Sequence, residues 1–341
     1  MPALPPFFIL GCPRSGTTLL QVLLDSHPAL AIPPESFIFD RFGPLLDTYG
    51  DLRNPARLRA LAADLLADER IRDWGLRATT DDLLGRTAEP SAAGLFDALF
   101  SLYARQQGKS RWGDKTPQHA LRIPELLAVY PRAKIIHLIR DGRDVAESTA
   151  RIAIGPCSIL AIARRWNRYM DTVAAATAGL PADQFLEVRF EDLVRDPAAE
   201  RRRIMSFLGE DDALCPPIGQ ALPQTGTLER SSTYAHHASL KKAISSGKIG
   251  VYQSAFTPRQ IELFEAVAGE ALLRLGYARD FAAPRPPTRS EELSAFWLDH
   301  TIRYLRKFKQ PHALRQLAKE LHLALQQGVR NRLRRGCRHA S

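Results

Sequence analysis

Two short apolar runs, each passed straight to a helix through a turn bearing an arginine, constrain this chain more than any other feature. Phe7-Phe8-Ile9-Leu10 is closed by Gly11; Leu20, Leu23 and Leu24 then recur at helical spacing between Thr17 and His27, and Pro28 stops the pattern. Lys134–Ile139 ends in Arg140-Asp141-Gly142, and a second helical stretch runs from Arg143 to Ile152. Runs so short and so continuously apolar fit parallel strands covered on both faces. Further strands are expected at Leu30–Ile32 and Phe185–Phe190. Residues 40–110 read as helical, with Leu58, Leu61, Leu65 and Leu66 in one stripe and Leu95, Phe96, Leu99 and Leu102 in another. A helix from Gln260 to Leu275 is expected, capped at Thr257 with Pro258 in its first turn. Strands separated by helices predict an α/β domain, a parallel sheet flanked by helices.

Charge is distributed unevenly. Of 47 Lys and Arg and 37 Asp and Glu, residues 301–341 hold eleven bases and one acid, Glu320, so the rest is neutral. The net charge of +10 therefore describes a tail and gives no argument for nucleic-acid binding. No run approaches the ~18 apolar residues that a membrane span needs. Cys12, Cys157, Cys215 and Cys337 form neither a C-x-x-C pair nor a zinc-ligand pattern with histidine, which points to a reducing cytosol and to no metal. The opening MPALPPFFILGCP looks like a short lipoprotein leader. It lacks a basic residue before the apolar stretch and carries Pro5-Pro6, so a buried first strand is the better expectation.

The loop Gly11-Cys12-Pro13-Arg14-Ser15-Gly16-Thr17-Thr18 carries the chemistry. Gly16 lets the backbone curl so that successive N–H groups face inward, and the helix start adds its positive dipole end. Arg14 adds a fixed charge, and Thr17 and Thr18 add hydroxyls, which together suit a phosphate or sulfate. The loop is not a Walker A motif, because no Lys precedes the threonines. Arg140 and Ser148 form a second anion site on the next strand-to-helix joint. Two such sites imply a ligand with separated phosphates.

P-R-S-G-T-T-L-L, continued by Leu24-Asp25-Ser26-His27-Pro28, resembles the 5′-phosphosulfate loop of sulfotransferases that use 3′-phosphoadenosine 5′-phosphosulfate (PAPS). The arginine form is similar to the tyrosylprotein sulfotransferases and related bacterial enzymes. The resemblance covers roughly residues 7–280 and implies a P-loop-like fold with PAPS as co-substrate and no metal. It makes Arg14, Ser15, Gly16, Thr17 and Thr18 the 5′ site, and Arg140 with Ser148 the 3′-phosphate site. It places a catalytic base 21 residues after the loop arginine, at Glu35. A ten-residue helix runs ~15 Å from the loop and four extended residues return ~13 Å, so Glu35 reaches its mouth. Trp112-Gly113-Asp114-Lys115-Thr116-Pro117 resembles the segment that supplies a transition-state lysine, here Lys115. Phe190 falls where the tyrosyl branch has Tyr, and Lys248 fits the first basic position of a late cofactor loop, whose second is replaced by Val251. Glu229-Arg230-Ser231 resembles another part of that loop, and Arg151 is a weaker phosphate candidate.

Other residues have plainer readings. Asp141 and Asp144 are helix-start acids, Arg143 a surface or ion-pair residue, and His137 a core or sheet-edge histidine. His236-His237 belong to a solvated loop.

The chain divides into a sulfotransferase domain at 1–281, a Pro-rich linker at 282–290 and a basic helical extension at 291–341. In the extension Leu314, Leu317, Leu321, Leu325 and Val329 form a stripe, which could dock on the body, pair in a homodimer or lie on an anionic membrane. The expected function is sulfuryl transfer from PAPS to a hydroxyl acceptor (peptide tyrosine, carbohydrate, lipid or another small molecule), in the cytoplasm or peripherally at a membrane. The rivals are a P-loop nucleotide kinase or ATPase and a non-catalytic nucleotide-binding protein tethered to a membrane.

Overall fold

A computed structural model describes residues 4–152, 156–221 and 244–308. Its centre is a five-stranded sheet in the order β2-β3-β1-β4-β5, every neighbouring pair parallel. The strands are β1 (Phe7–Gly11), β2 (Leu30–Ala31), β3 (Arg111–Lys115), β4 (Lys134–Ile139) and β5 (Phe185–Arg189). Side chains alternate across the sheet. Phe8 and Leu10 of β1, with Ile135 and Ile139 of β4, enter one core; Phe7, Ile9, Ile136 and Leu138 enter the other. Both faces are thus buried, as continuous apolar strands require.

The helices that matter for the site are α1 (Thr17–Asp25), α2 (Ile38–Arg41), α3 (Gly142–Ala150), α4 (Ile159–Thr177), α5 (Phe190–Arg195), α6 (Pro258–Arg274) and α7 (Arg289–Phe308). The α6 helix begins at the Thr257 capping box, where Gln260 returns the bond to the Thr257 N–H. The α7 helix docks on the start of α4, where Asp299 accepts a hydrogen bond from the Ser158 N–H at 3.0 Å.

The strand that the sequence hid is β3. Its residues Arg-Trp-Gly-Asp-Lys are all buried, and three of the five are charged. Each charge is answered locally: Arg111 donates to Glu210 at 2.8 Å and to the carbonyls of Leu208 and Pro5. Gly113 sits where a Cβ would lie 2.3 Å from the Phe7 ring, so only glycine fits that position of the strand. Phe190, expected to end β5, instead opens α5.

In parallel sheets ligands gather at the carboxyl ends of strands where the order reverses. Here β3 and β4 flank β1 on opposite sides. The carboxyl ends of β1, β3, β4 and β5 therefore bring Arg14, Lys115, Arg140 and Phe190 to one edge.

Candidate active site

The loop after β1 is bent against preference. Arg14 has φ of 79° and Gly16 has φ of 102°. The first is uncommon for a residue with a Cβ and marks a backbone held by its surroundings. At Gly16 a Cβ would lie 2.5 Å from the Phe190 ring, so the glycine lets the loop pack flat on that ring. The α1 helix has no side-chain cap, so its first N–H groups are left for a ligand.

The two arginines meet. Arg14 Nε donates to Ser148 Oγ at 3.1 Å, and Arg140 donates to the Arg14 carbonyl at 3.2 Å. Arg140 also donates to the Lys248 carbonyl at 2.7 Å and stacks over Phe190, 4.5 Å from the ring centroid. The backbone of Lys248, rather than its exposed side chain, makes this contact. Asp144 holds that loop by accepting from the N–H groups of Gly250 at 2.8 Å and Tyr252 at 3.1 Å. Asp144 lies in the first turn of α3, as expected, and anchors this loop in addition. Of the two readings of Arg143 the ion-pair one holds: it is buried and paired with Asp141 and Glu265. Arg151 pairs with Glu147 and is largely exposed. His137 is buried in β4 beside Phe185 and Glu187.

Electrostatics singles out the cluster. Burial lowers the Arg14 pKa, the Arg140 and Arg165 cations lower it further, and Glu35 opposes them. Burial also lowers that of Arg140, against the pull of Asp144 and nearby acids. Cations crowded this way favour an anion between them. Ser15 Oγ and Arg140 Nε are buried with no hydrogen-bond partner among the described residues, which fits a phosphate ligand. Arg165, on α4, was invisible to sequence reasoning because it lies mid-helix with no motif around it; only the packing of α4 brings it near Cys12 and Arg14.

Beside this cationic pocket lies a paired one. Lys115 Nζ donates to Glu35 Oε1 at 2.6 Å and lies 3.4 Å from Thr18 Oγ1. The return from α1 to Glu35 is pinned by Gln21, whose amide donates to the carbonyls of Ile32 at 3.1 Å and Pro33 at 2.9 Å. Asp25 pins it again through the Ile32 N–H. Contacts thus join Arg14, Arg140, Ser148 and Phe190 in one group and Thr18, Lys115 and Glu35 in another at the carboxyl ends of the strands, while Lys248 takes part through its backbone. Glu229-Arg230-Ser231, His236-His237 and the Leu314–Val329 stripe lie outside the described residues.

A model described as "Sulfotransferase family" matches residues 5–213. The chain belongs to the sulfotransferase family. It is 29% identical over 302 residues to nodulation protein NoeE of Sinorhizobium fredii, a match spanning 82% of this chain and 67% of that protein. It is 26% identical over 210 residues to protein-tyrosine sulfotransferase 1 of Danio rerio, spanning 60% of this chain and 53% of that one. The sulfotransferase domain from the curacin biosynthetic pathway superposes with a TM-score of 0.55 at 21% identity, covering 81% of this chain and 99% of that domain. This likeness places the sheet and its flanking helices in the sulfotransferase fold. The protein is a sulfotransferase enzyme.

Proposed function

We propose that this sulfotransferase moves the sulfuryl group of PAPS to a hydroxyl-bearing acceptor, with Glu35 as general base. The observation that carries the reading is that Arg14, Ser148 and Arg140 form one hydrogen-bonded cluster beside the Lys115–Glu35 pair. A donor with two separated anionic ends suits it: the 3′-phosphate near Arg140 and Ser148, the phosphosulfate against Arg14, Ser15, Gly16, Thr17 and Thr18, the base near Phe190. PAPS supplies the activated sulfuryl group, and everything else falls to the chain. Glu35 takes the acceptor's hydroxyl proton as the acceptor oxygen bonds to sulfur. The bond from sulfur to the phosphate oxygen breaks, and Lys115, Arg14 and the loop amides neutralise the charge left on that phosphate. Lys115 and Glu35 neutralise each other, and Lys115, also beside Thr18, would neutralise the leaving oxygen.

A tyrosine sulfotransferase among the relatives is named for a phenolic acceptor, which supports a hydroxyl here. For location we infer the cytoplasm with peripheral contact to an anionic membrane. The α7 helix leaves Leu293, Phe296 and Trp297 more than half exposed, just before the basic residues of 301–341. No described helix is long and apolar enough to cross a membrane. A thermal-shift comparison tests the donor. Strong stabilisation by 3′-phosphoadenosine 5′-phosphate (PAP), and little by Mg-ATP, is expected; the reverse would overturn the reading. Co-sedimentation with anionic vesicles tests the location: loss of pelleting in Trp297→Glu is expected, and no pelleting of the parent protein refutes it.

A further inference from the structure

The segment that carries Glu35 is held from behind by a buried polar network that no step of the proposed chemistry uses. Asp114 is fully buried in β3, one residue before Lys115. It accepts from Ser36 Oγ at 2.8 Å and from Thr116 Oγ1 at 3.2 Å, and it lies 3.1 Å from His119 Nδ1. Thr116 Oγ1 in turn accepts from the Ser36 N–H at 3.0 Å and the Phe37 N–H at 3.4 Å. The Phe39 N–H donates to His119 Nε2 at 3.4 Å, which turns the other ring nitrogen toward Asp114. Both hydroxyls give and receive: Ser36 Oγ accepts from the Ile38 N–H at 3.2 Å while donating to Asp114, and Thr116 Oγ1 accepts from the Ser36 N–H while donating to Asp114.

The backbone between these bonds is strained. Phe37 has φ of 51°, a conformation unfavourable for an aromatic residue. Such a residue persists only where its surroundings fix it, and here the fixing bonds fall on residues 36, 37 and 39, next to Glu35. On the other side, Asp114 and Thr116 flank Lys115. The same three-residue stretch of β3 and its exit therefore grips both members of the Lys115–Glu35 pair.

We propose that Asp114 and Thr116, acting through Ser36, are positioning residues that set the Glu35 carboxylate against Lys115 and the acceptor hydroxyl. This rests on the reading of Glu35 as the base. A buried carboxylate gripping the segment from inside the sheet removes the freedom a surface loop would have. A misplacement of about 1 Å at a reacting group costs on the order of 100-fold in rate.

The test uses Thr116→Val and Thr116→Ser in the full chain, with radiolabelled PAPS and 2-naphthol as acceptor. Valine keeps the shape and removes the hydroxyl; serine keeps the hydroxyl. Thr116→Val should lower kcat at least about tenfold with the KM for PAPS and PAP affinity unchanged. Thr116→Ser should restore most of the rate. Ser36→Ala should resemble the valine variant, and adding Thr116→Val to Glu35→Gln should cost nothing more. The proposal is overturned if Thr116→Val keeps full turnover while Glu35→Gln loses it. It is also overturned if serine fails as badly as valine, or if PAP affinity falls in step with kcat. If Glu35→Gln itself turns over normally, the base assignment fails first and this positioning role goes with it.

Discussion

The two halves of the site solve opposite problems. The half built from the exits of β1, β4 and β5 collects Arg14 and Arg140 around Ser148, with Phe190 beside Arg140, and gives neither guanidinium an ion-pair partner among the described residues, although Glu35, Asp144 and nearby acids act on them. The half built from β3 and the return of α1 keeps its charges paired, Lys115 to Glu35. An unbalanced pocket waits for an anion from outside, and so it selects a ligand. A balanced pocket gains nothing by binding an anion alone, and so it can keep a proton acceptor ready. The contrast predicts that substitutions on one side act on affinity and on the other act on rate.

The largest effect should come from the paired half. Glu35→Gln preserves shape and removes the proton acceptor, so turnover should fall by about 10²–10⁴-fold. PAP affinity, followed by thermal shift, should not fall, because the amide oxygen can still accept from Lys115 and loss of the carboxylate charge leaves Lys115 and Arg14 more positive toward an anion. Equal losses of rate and affinity would erase the distinction between the halves.

Next comes Arg140→Ala. A hydrogen bond to a charged group contributes about 1.5–3 kcal/mol, so PAP binding should weaken by roughly 10–100-fold. The loss should shrink as salt is raised if the interaction is chiefly with a phosphate. Turnover at saturating PAPS should change much less. Ser148→Ala should be milder, up to about tenfold in affinity, because it removes only a neutral hydroxyl that receives the Arg14 N–H. A larger effect for Ser148 than for Arg140 would mean that the cluster is held by Arg14 alone.

How much of this was legible beforehand depended on which force wrote the signal. Apolar burial wrote β1 and β4 plainly: Phe7–Gly11 and Lys134–Ile139 are strands at the expected bounds. Backbone shape wrote the loop, since Gly16 is needed where the Phe190 ring closes in. β3 was illegible because Arg111, Asp114 and Lys115 break the apolar run that marks a buried strand. Their burial depends on partners far away in sequence: Glu210 for Arg111, Ser36 for Asp114, Glu35 for Lys115. The same holds for Arg165 and for Gln21, whose roles exist only once helices are packed. Within the site, residues such as Arg14, Arg140 and Ser148 carried local motifs and lie together, whereas Gln21 and Arg165, defined by tertiary contacts, carried none.

The smallest expected effect concerns Cys12, at the hinge between β1 and the cationic loop. Positive charge nearby normally activates a thiol by favouring the thiolate. Here Arg165 does pull in that direction, yet burial dominates and pushes the thiol up to about 11. At pH 8 only about one molecule in a thousand would carry the thiolate. Iodoacetamide should therefore leave Cys12 untouched in the native protein, as read by peptide mapping, while labelling it fully in urea. Labelling that stayed slow with or without PAP would mean that the cationic half is already shaped before the nucleotide arrives and that its field points outward to the ligand. Rapid labelling suppressed by PAP would mean that the loop opens and closes around its ligand, and the contrast between a waiting pocket and a poised one would have to be redrawn as a contrast between a moving part and a fixed one.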